Sequence, residues 1–217
     1  MHSLLTLPLE WMHLLPFRTS FSRKVHDTWR LKDGTRVILR TTRSGDSELL
    51  QELVRGLSVK TRYQRFFSPI HELTPRMLDR FTRNAPEEAM TVIAVVQQDG
   101  REVAIAMAQY VADPYPERCD FGIVVADAWQ RSGLGRKLLE SLICMARAAG
   151  FARIEGDVLA ENLPVHRLML DMGFRFEPHV DGAYLHRVEK PLVAEQWKCT
   201  PLTALAHKPV HERAIAR

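Results

Sequence analysis

A glycine-rich turn between an apolar strand and an amphipathic helix constrains the fold of this chain more than any other feature of its sequence. The apolar run from Phe121 to Val125 leads into the hexapeptide Gln130-Arg131-Ser132-Gly133-Leu134-Gly135. Apolar residues then recur at helical spacing as far as Ala146, and Gly150 ends the predicted helix. Glycines let backbone N–H groups approach a ligand closely, and a helix N-terminus offers unpaired N–H donors and partial positive charge. The segment therefore predicts a binding site for a phosphate group.

The glycine spacing in this turn excludes two common nucleotide-binding motifs. The dinucleotide pattern GxGxxG fails because Leu138 stands where its third glycine is required, and the Walker lysine pattern fails as well. Arg131 and Arg136 add positive charge to the turn. The turn therefore predicts a pyrophosphate site of a different kind.

The rest of the chain has the pattern of a mixed α/β domain. Helices are expected after Asp46, from the Thr74-Pro75 cap, after the glycine-rich turn and after Asn162. Strands are expected over 35–40, 91–97, 102–111, 120–125, 154–159, 174–178 and 184–189. The predicted order is β α α β β β α β α β β, which indicates one sheet flanked by helices.

Composition and cysteine content exclude several classes of protein. Hydrophobic residues make up 46% and charged residues 26% of the 217 residues, as in globular proteins. No apolar run reaches the roughly 18 residues that span a bilayer, so no membrane partner is expected. Three cysteines without a CxxC pair predict neither a disulfide framework nor a metal site, which fits a cytoplasmic location.

The N-terminal region is unusual in two ways. Met1 to Phe17 is rich in leucine but lacks the basic start and the cleavage site of a signal peptide, so we expect an extra helix or a partly ordered arm. Eight basic residues then lie between Arg18 and Arg43, against Asp27 and Asp33. Such a stretch suits a solvated face or an anionic partner. No nucleic-acid-binding motif accompanies it, so no nucleic-acid partner is expected.

The Q-x-x-G-x-G spacing after a strand resembles the acyl-CoA motif of the GNAT acetyltransferase superfamily. The segment from Asn162 to Phe174 resembles a second element of that superfamily, an Asn-initiated helix that ends in Gly-Phe. Residues 31–35, 61–67 and 155–162 are similar to the acetyltransferase domain of bacterial protein lysine acetyltransferases. The resemblance implies an α/β GNAT fold with a mixed, mostly antiparallel, splayed sheet flanked by helices. It divides the chain into an N-terminal extension (1–29), the acetyltransferase domain (30–190) and a tail (191–217).

The same resemblance implies an enzyme that moves an acetyl group from acetyl-CoA directly to a primary amine, with a protein lysine as the first candidate. The alternatives are a small-molecule amine N-acetyltransferase and a non-catalytic acyl-CoA-sensing module. Neither the identity of the acceptor nor the oligomeric state, monomer or dimer, follows from the sequence. The residues expected to contact acetyl-CoA are Ile123, Val124, Val125, Gln130, Arg131, Ser132, Gly133, Leu134, Gly135, Arg136 and Asn162.

Acetyl transfer to an amine needs a general base. Asp120 is the first candidate, because it begins the strand that leads into the turn, where the resemblance predicts glutamate. Glu117, in the preceding loop, is the second candidate. Met169 occupies the position where many GNAT enzymes carry a tyrosine acid, so it is expected to be a packing residue and solvent to protonate the leaving thiolate.

Three further expectations concern the neighbourhood of this site. The side chain of Asn162 either caps its helix or binds the pantetheine arm. The aromatic side chains of Tyr63, Phe66 and Phe67 either line the acceptor pocket or form a satellite core cluster. A covalent route through Cys119 is not expected, because direct transfer is the usual course in the superfamily.

Overall fold

The described part of the chain is built around one eight-stranded sheet. The computed structural model describes residues 26–115 and 117–192. The strands lie in the order β1-β2-β3-β4-β5-β6-β8-β7, and all neighbours are antiparallel except β5 and β6. Their bounds are β1 His26–Arg30, β2 Arg36–Thr41, β3 Ala89–Gln98, β4 Arg101–Ala112, β5 Arg118–Val125, β6 Arg153–Leu159, β7 Arg175–Pro178 and β8 Leu185–Pro191. The predicted mixed and mostly antiparallel sheet is confirmed.

Helices cover both faces of this sheet. Their bounds are α1 Ser47–Arg55, α2 Val59–Phe66, α3 Pro75–Thr82, α4 Leu134–Ala148 and α5 Leu163–Asp171. Alternate residues of β3 face opposite sides: Val92 and Ala94 belong to the core that includes α4, and Ile93 and Val95 to the core that includes α1. Burial on both faces explains why β3 reads as a continuous apolar run in the sequence.

The helix caps only partly follow the sequence expectations. Thr74 caps α3, with its Oγ1 accepting a hydrogen bond from the N–H of Met77, as predicted. Asp46 makes no side-chain cap at α1. Its carboxylate instead accepts hydrogen bonds from the buried guanidinium of Arg40 at 2.7 and 3.0 Å. A buried cation needs such a partner, and this need outweighs capping.

Two elements of the structure were not predicted. β1 pairs with β2 and begins at His26, before the expected start of the domain at residue 30. Residues 59–66 form α2, capped by Ser58, whose Oγ accepts a hydrogen bond from the N–H of Thr61. The expectations for residues 1–25 and 193–217 lie outside the described residues. Within the described ranges, no helix has the length and hydropathy of a membrane span.

The two described cysteines differ in burial. Cys119 is a free thiol in the core, and burial raises its pKa to about 12. A thiol with this pKa is protonated at neutral pH and is therefore a poor nucleophile. Cys144 lies on α4, and its side chain is half-buried.

Candidate active site

The candidate site lies where the pairing between β5 and β6 stops. These parallel strands pair only over Arg118–Asp120 and Arg153–Glu155. β5 continues to Val125 paired with β4, and β6 continues to Leu159 paired with β8. Within the described chain, the backbone of β5 from Phe121 to Val125 therefore presents an edge without a strand partner. This is the splay that the resemblance implied.

Two glycines allow side chains to lie against the splayed strands. On the α4 side, the ring of Phe121 lies so close to Gly156 of β6 that a Cβ there would be 2.8 Å from the ring. On the opposite side, the guanidinium of Arg65 covers Gly122, where a Cβ would be 2.5 Å from its nearest atoms. The two faces of the opening are therefore lined by different chemistry.

The glycine-rich turn joins the end of β5 to α4. Arg131 and Gly133 both have positive φ, of 59° and 89°, and Gly133 is the N-cap residue of α4. A glycine cap has no side chain to accept a hydrogen bond from the first-turn N–H groups, and none is formed. These N–H groups and the helix dipole suit an anionic ligand. The backbone geometry of the turn is therefore compatible with binding of the pyrophosphate of CoA.

The other residues of the turn have distinguishable tasks. Gly135 lies at the contact between α4 and α5, because a Cβ there would be 3.4 Å from Leu168. Ser132 donates a hydrogen bond from Oγ to the carbonyl of Trp129, and Leu134 is buried. Arg136 forms an exposed ion pair with Asp171 at 3.3 Å. The exposed side chain of Arg131 makes no ion pair within the described residues. Arg131 is thus the better-placed cation for a phosphate.

A hydrogen-bond network fastens the turn to α2; we call it the Asp127 network. Asp127 lies in a single 3-10 turn, Asp127–Trp129, that follows β5. Its carboxylate accepts hydrogen bonds from the N–H and Oγ of Ser58 (2.9 and 2.7 Å) and from Oγ1 of Thr61 (2.7 Å). Burial raises the pKa of Asp127, but these hydrogen bonds outweigh that effect and lower it. Gln130 adds hydrogen bonds from Nε2 to Thr61 and to the carbonyl of Val125, both at 3.2 Å.

The remaining residues expected to contact acetyl-CoA lie beside the same opening. Ile123, Val124 and Val125 are on the open edge of β5, but the side chain of Val124 is in the core, so only its backbone can face a ligand. Asn162 begins α5 and is buried, and its side chain makes no capping hydrogen bond. The capping alternative for this side chain is therefore not what the structure shows.

Asp120 is the last residue of β5 that pairs with β6, and it stands in a charged cluster. Its carboxylate is 2.5 Å from Nη2 of Arg187, which also contacts Glu155 at 2.9 Å and Asp157 at 3.0 Å. The side chain of Asp120 is 43% exposed. Burial, together with the carboxylates of Asp113 and Asp157, raises the pKa of Asp120 although Arg187 opposes the shift. A carboxylate with a raised pKa is a stronger proton acceptor than an ordinary aspartate.

Asp120 borders a cavity of about 430 Å³, which we call the acceptor cavity. Four charged side chains line it, two cationic and two anionic, and apolar side chains from α2, α3 and β4 form much of the wall. Of the three aromatic residues predicted from the sequence, only Phe66 is among the lining residues. The lining consists of Arg65, Phe66, Met77, Arg80, Phe81, Gln109, Val111, Ala112, Asp113, Pro114, Asp120, Phe121 and Gly122.

The structure separates the two candidate bases. Glu117 lies in the turn before β5 with a φ of 64°, and its carbonyl accepts hydrogen bonds from the N–H groups of Ala152 and Arg153. Its side chain is exposed and is not among the residues that line the acceptor cavity. Asp120 is therefore the better-placed of the two carboxylates.

Met169, on α5, is fully buried, as expected for a packing residue.

Comparisons of sequence place this geometry in a known family. The sequence model of the GNAT family of acetyltransferases matches residues 57–174, which is more than half of the chain. An acetyltransferase of Pseudomonas aeruginosa is 29% identical over 174 residues, or 78% of this chain and 94% of that protein. The ribosomal-protein alanine N-acetyltransferase of Escherichia coli is 39% identical over 92 residues, or 39% of this chain and 60% of that enzyme.

Solved structures share the fold. The GNAT domain of PAT from S. lividans aligns with a TM-score of 0.68 at 24% identity, over 77% of this chain and 97% of that domain. A Salmonella typhimurium protein described as a putative acetyltransferase, solved with acetyl-CoA, aligns with a TM-score of 0.58 at 21% identity, over 72% and 94% of the two chains. The splayed sheet, the uncapped turn and the family match agree, and the chain belongs to the GNAT family of acetyltransferases.

Proposed function

We propose that this acetyltransferase modifies the side-chain amine of a lysine in a protein, with Asp120 as general base. Its family establishes the reaction class and acetyl-CoA as the donor. When bound, acetyl-CoA supplies an acetyl group activated as a thioester. The acceptor and the roles of individual residues are our proposal.

We assign donor binding to the turn and to the open edge of β5. The uncapped N–H groups of the turn, with Arg131, would hold the pyrophosphate. The edge of β5 that faces β6 is open from Phe121 to Val125 and offers backbone hydrogen bonds to the amide groups of the pantetheine arm. Asn162, whose side chain does not cap α5, would contact the same arm.

Asp120 is suited to take the proton that the acceptor ammonium must lose. It borders the acceptor cavity beside the open edge of β5, and the pKa of its carboxylate is raised. The proton passes to the carboxylate directly or through one water molecule, which leaves the amine neutral and nucleophilic. The position of a possible acid on α5 is occupied by Met169, so the departing sulfur takes its proton from solvent.

The acceptor cavity supports lysine as the acceptor, because its apolar and acidic walls match the apolar stem and the amine of that side chain. Phe66, Met77, Phe81 and Val111 supply apolar surface for the four methylene groups, and Asp120 supplies a carboxylate for the amine. Next to the lining residues, Phe67 and Tyr115 expose 40% and 69% of their surface. Exposed aromatic side chains are typical of surfaces that bind proteins.

A second acceptor class deserves a direct comparison in the same assay. By its name, the Escherichia coli relative acetylates alanine of a ribosomal protein, so an α-amine of a protein is the main competitor of lysine. Small amines form the third class. We place the reaction in the cytoplasm, where acetyl-CoA is made.

The test is acetylation of bacterial lysate proteins with isotope-labelled acetyl-CoA, read by peptide mass spectrometry. We expect labelled lysine side chains with the parent protein and with Glu117→Gln, a matched control outside the cavity. Asp120→Asn should give almost none. Label confined to protein N-termini, or to added small amines, would contradict the proposal.

A further inference from the structure

Arg65 is a half-buried arginine that has no carboxylate partner among the described residues. Its guanidinium lies against Gly122, and its Nε is buried without a hydrogen-bond partner. Its charged group is 5.0 Å from the ring of Phe66 and 6.0 Å from that of Phe81. Among residues 26–115 and 117–192, no carboxylate lies within salt-bridge distance of Arg65. Arg40, whose side chain is buried, has two such partners.

The guanidinium of Arg65 therefore lacks an anionic partner that a bound molecule could supply. Burial lowers the pKa of Arg65 to about 10, so the side chain is still charged at neutral pH. A buried cation is costly unless it is paired, and aromatic faces compensate it only in part. Since Arg65 lines the acceptor cavity, an anionic group of the acceptor can supply the missing partner.

The strand register separates the charges of the cavity into two levels. Gly122, under Arg65, is opposite Gln109, whose Nε2 donates a hydrogen bond to the carbonyl of Arg80, the second cation. Asp120 is opposite Val111, two residues further along β4. At about 3.3 Å per residue, the two levels are about 6.6 Å apart on the same face of the sheet.

We propose that the acceptor cavity selects a lysine that has an acidic side chain two residues away, with Arg65 binding the acid and Asp120 facing the amine. An extended peptide repeats every two residues at the same spacing of about 6.6 Å and on the same side, so both side chains can enter together. Arg80, an exposed residue that lines the same cavity, adds positive charge there. This inference rests on the proposed lysine acetylation and specifies its substrates.

The experiment compares short synthetic peptides that contain one lysine. Two peptides carry glutamate, one at the second position before the lysine and one at the second position after it. Two control peptides carry glutamine at the same positions. With the parent protein, glutamate should raise kcat/KM by about 10- to 100-fold, which is typical of a hydrogen bond to a charged group. The gain should come from a lower KM with kcat unchanged, because the acid is bound equally before and during the reaction. Anisotropy of fluorescent acetyl-lysine peptides should show the same preference without turnover.

Three variants assign the preference to Arg65. In Arg65→Gln the glutamate and glutamine peptides should become equal. In Gly122→Ala the charge remains, but the added Cβ displaces the guanidinium, and the preference should also fall. Arg76→Gln, an exposed arginine of α3 outside the acceptor cavity, should keep the full preference. Thermal melts with and without acetyl-CoA show that each variant is folded and binds the donor.

The outcomes separate this inference from the function on which it rests. Equal kcat/KM for glutamate and glutamine peptides would overturn the acidic-neighbour rule and leave lysine acetylation in place. Better turnover of free amino acids than of any peptide would show that the anion is the acceptor's own carboxylate, and would overturn the rule as well. Absence of acetylation of every peptide would overturn both proposals.

Discussion

Replacement of Asp120 by asparagine should separate catalysis from stability. Asn keeps the size of the side chain but cannot accept the ammonium proton, so kcat should fall by about 10²- to 10⁴-fold. Arg187 retains Glu155 at 2.9 Å and Asp157 at 3.0 Å, so no unpaired cation is created. The lost ion pair is partly exposed and contributes at most about 1 kcal/mol. Because the raised pKa means that burial of the charge opposes this ion pair, the Tm at neutral pH should stay within about 4 °C of the parent value.

The pH dependence provides the sharper test. The parent should lose activity as the pH falls through the pKa of Asp120, which lies above the ordinary aspartate value. Asp120→Asn should lack this acidic limb, and its deficit should shrink towards about pH 10, where lysine amines lose their proton unaided. The pKa is raised on folding, so protonation of Asp120 stabilises the folded protein at low pH. That contribution is lost as the pH rises through the raised pKa.

The assay is initial-rate release of CoA thiol with one good acceptor, measured from pH 5 to pH 10 in the conditions of the peptide assays. Asp120→Glu is the informative companion, because it restores the residue that the family resemblance predicts, and it should retain activity. Glu117→Gln is the exposed control. If Asp120→Asn gave the parent's rate across the whole profile, the assignment of Asp120 as base would be refuted.

Three further predictions test other parts of the site. Gly133→Val forces a branched residue into a φ of 89° and should abolish the stabilisation by acetyl-CoA in thermal melts, about 2.7 kcal/mol for the parent at 100-fold Kd. Asp127→Asn should lower Tm at neutral pH but not below the lowered pKa of Asp127, because the stabilisation is lost as the carboxylate is protonated. Cys119→Ala should keep kcat within about 2-fold, and mass spectrometry should find no acetyl group on Cys119 in the parent, since its thiol is buried.

Much of the fold was predictable because it depends on local patterns. β3 and β4 are apolar on both faces, and α4 has a clear amphipathic spacing, so their positions follow from the sequence. β1 was missed because its segment HDTWR is polar and lies at the sheet edge, where Trp29 is the one apolar residue. α2 was missed because its segment VKTRYQRF is polar around most of the helix.

Only those site residues that lie close together in the sequence were predictable. Asp120 and the turn could be found because one strand joins them. Arg187 reaches Asp120 across 67 positions of sequence, and Arg65 reaches Gly122 only because α2 packs on β5. Both contacts depend on the order of the strands and the docking of a helix, and neither leaves a signal in local periodicity.

We expect the short pairing between β5 and β6 to let the two parts of the sheet open separately. Only three residue pairs join these strands, whereas seven pairs join β4 to β5 and seven join β6 to β8. Backbone amides of β6, β7 and β8 should therefore exchange with deuterium through openings that leave β2, β3 and β4 intact. A ligand that bridges the opening would couple the two parts, so acetyl-CoA should slow exchange on both sides of the junction together.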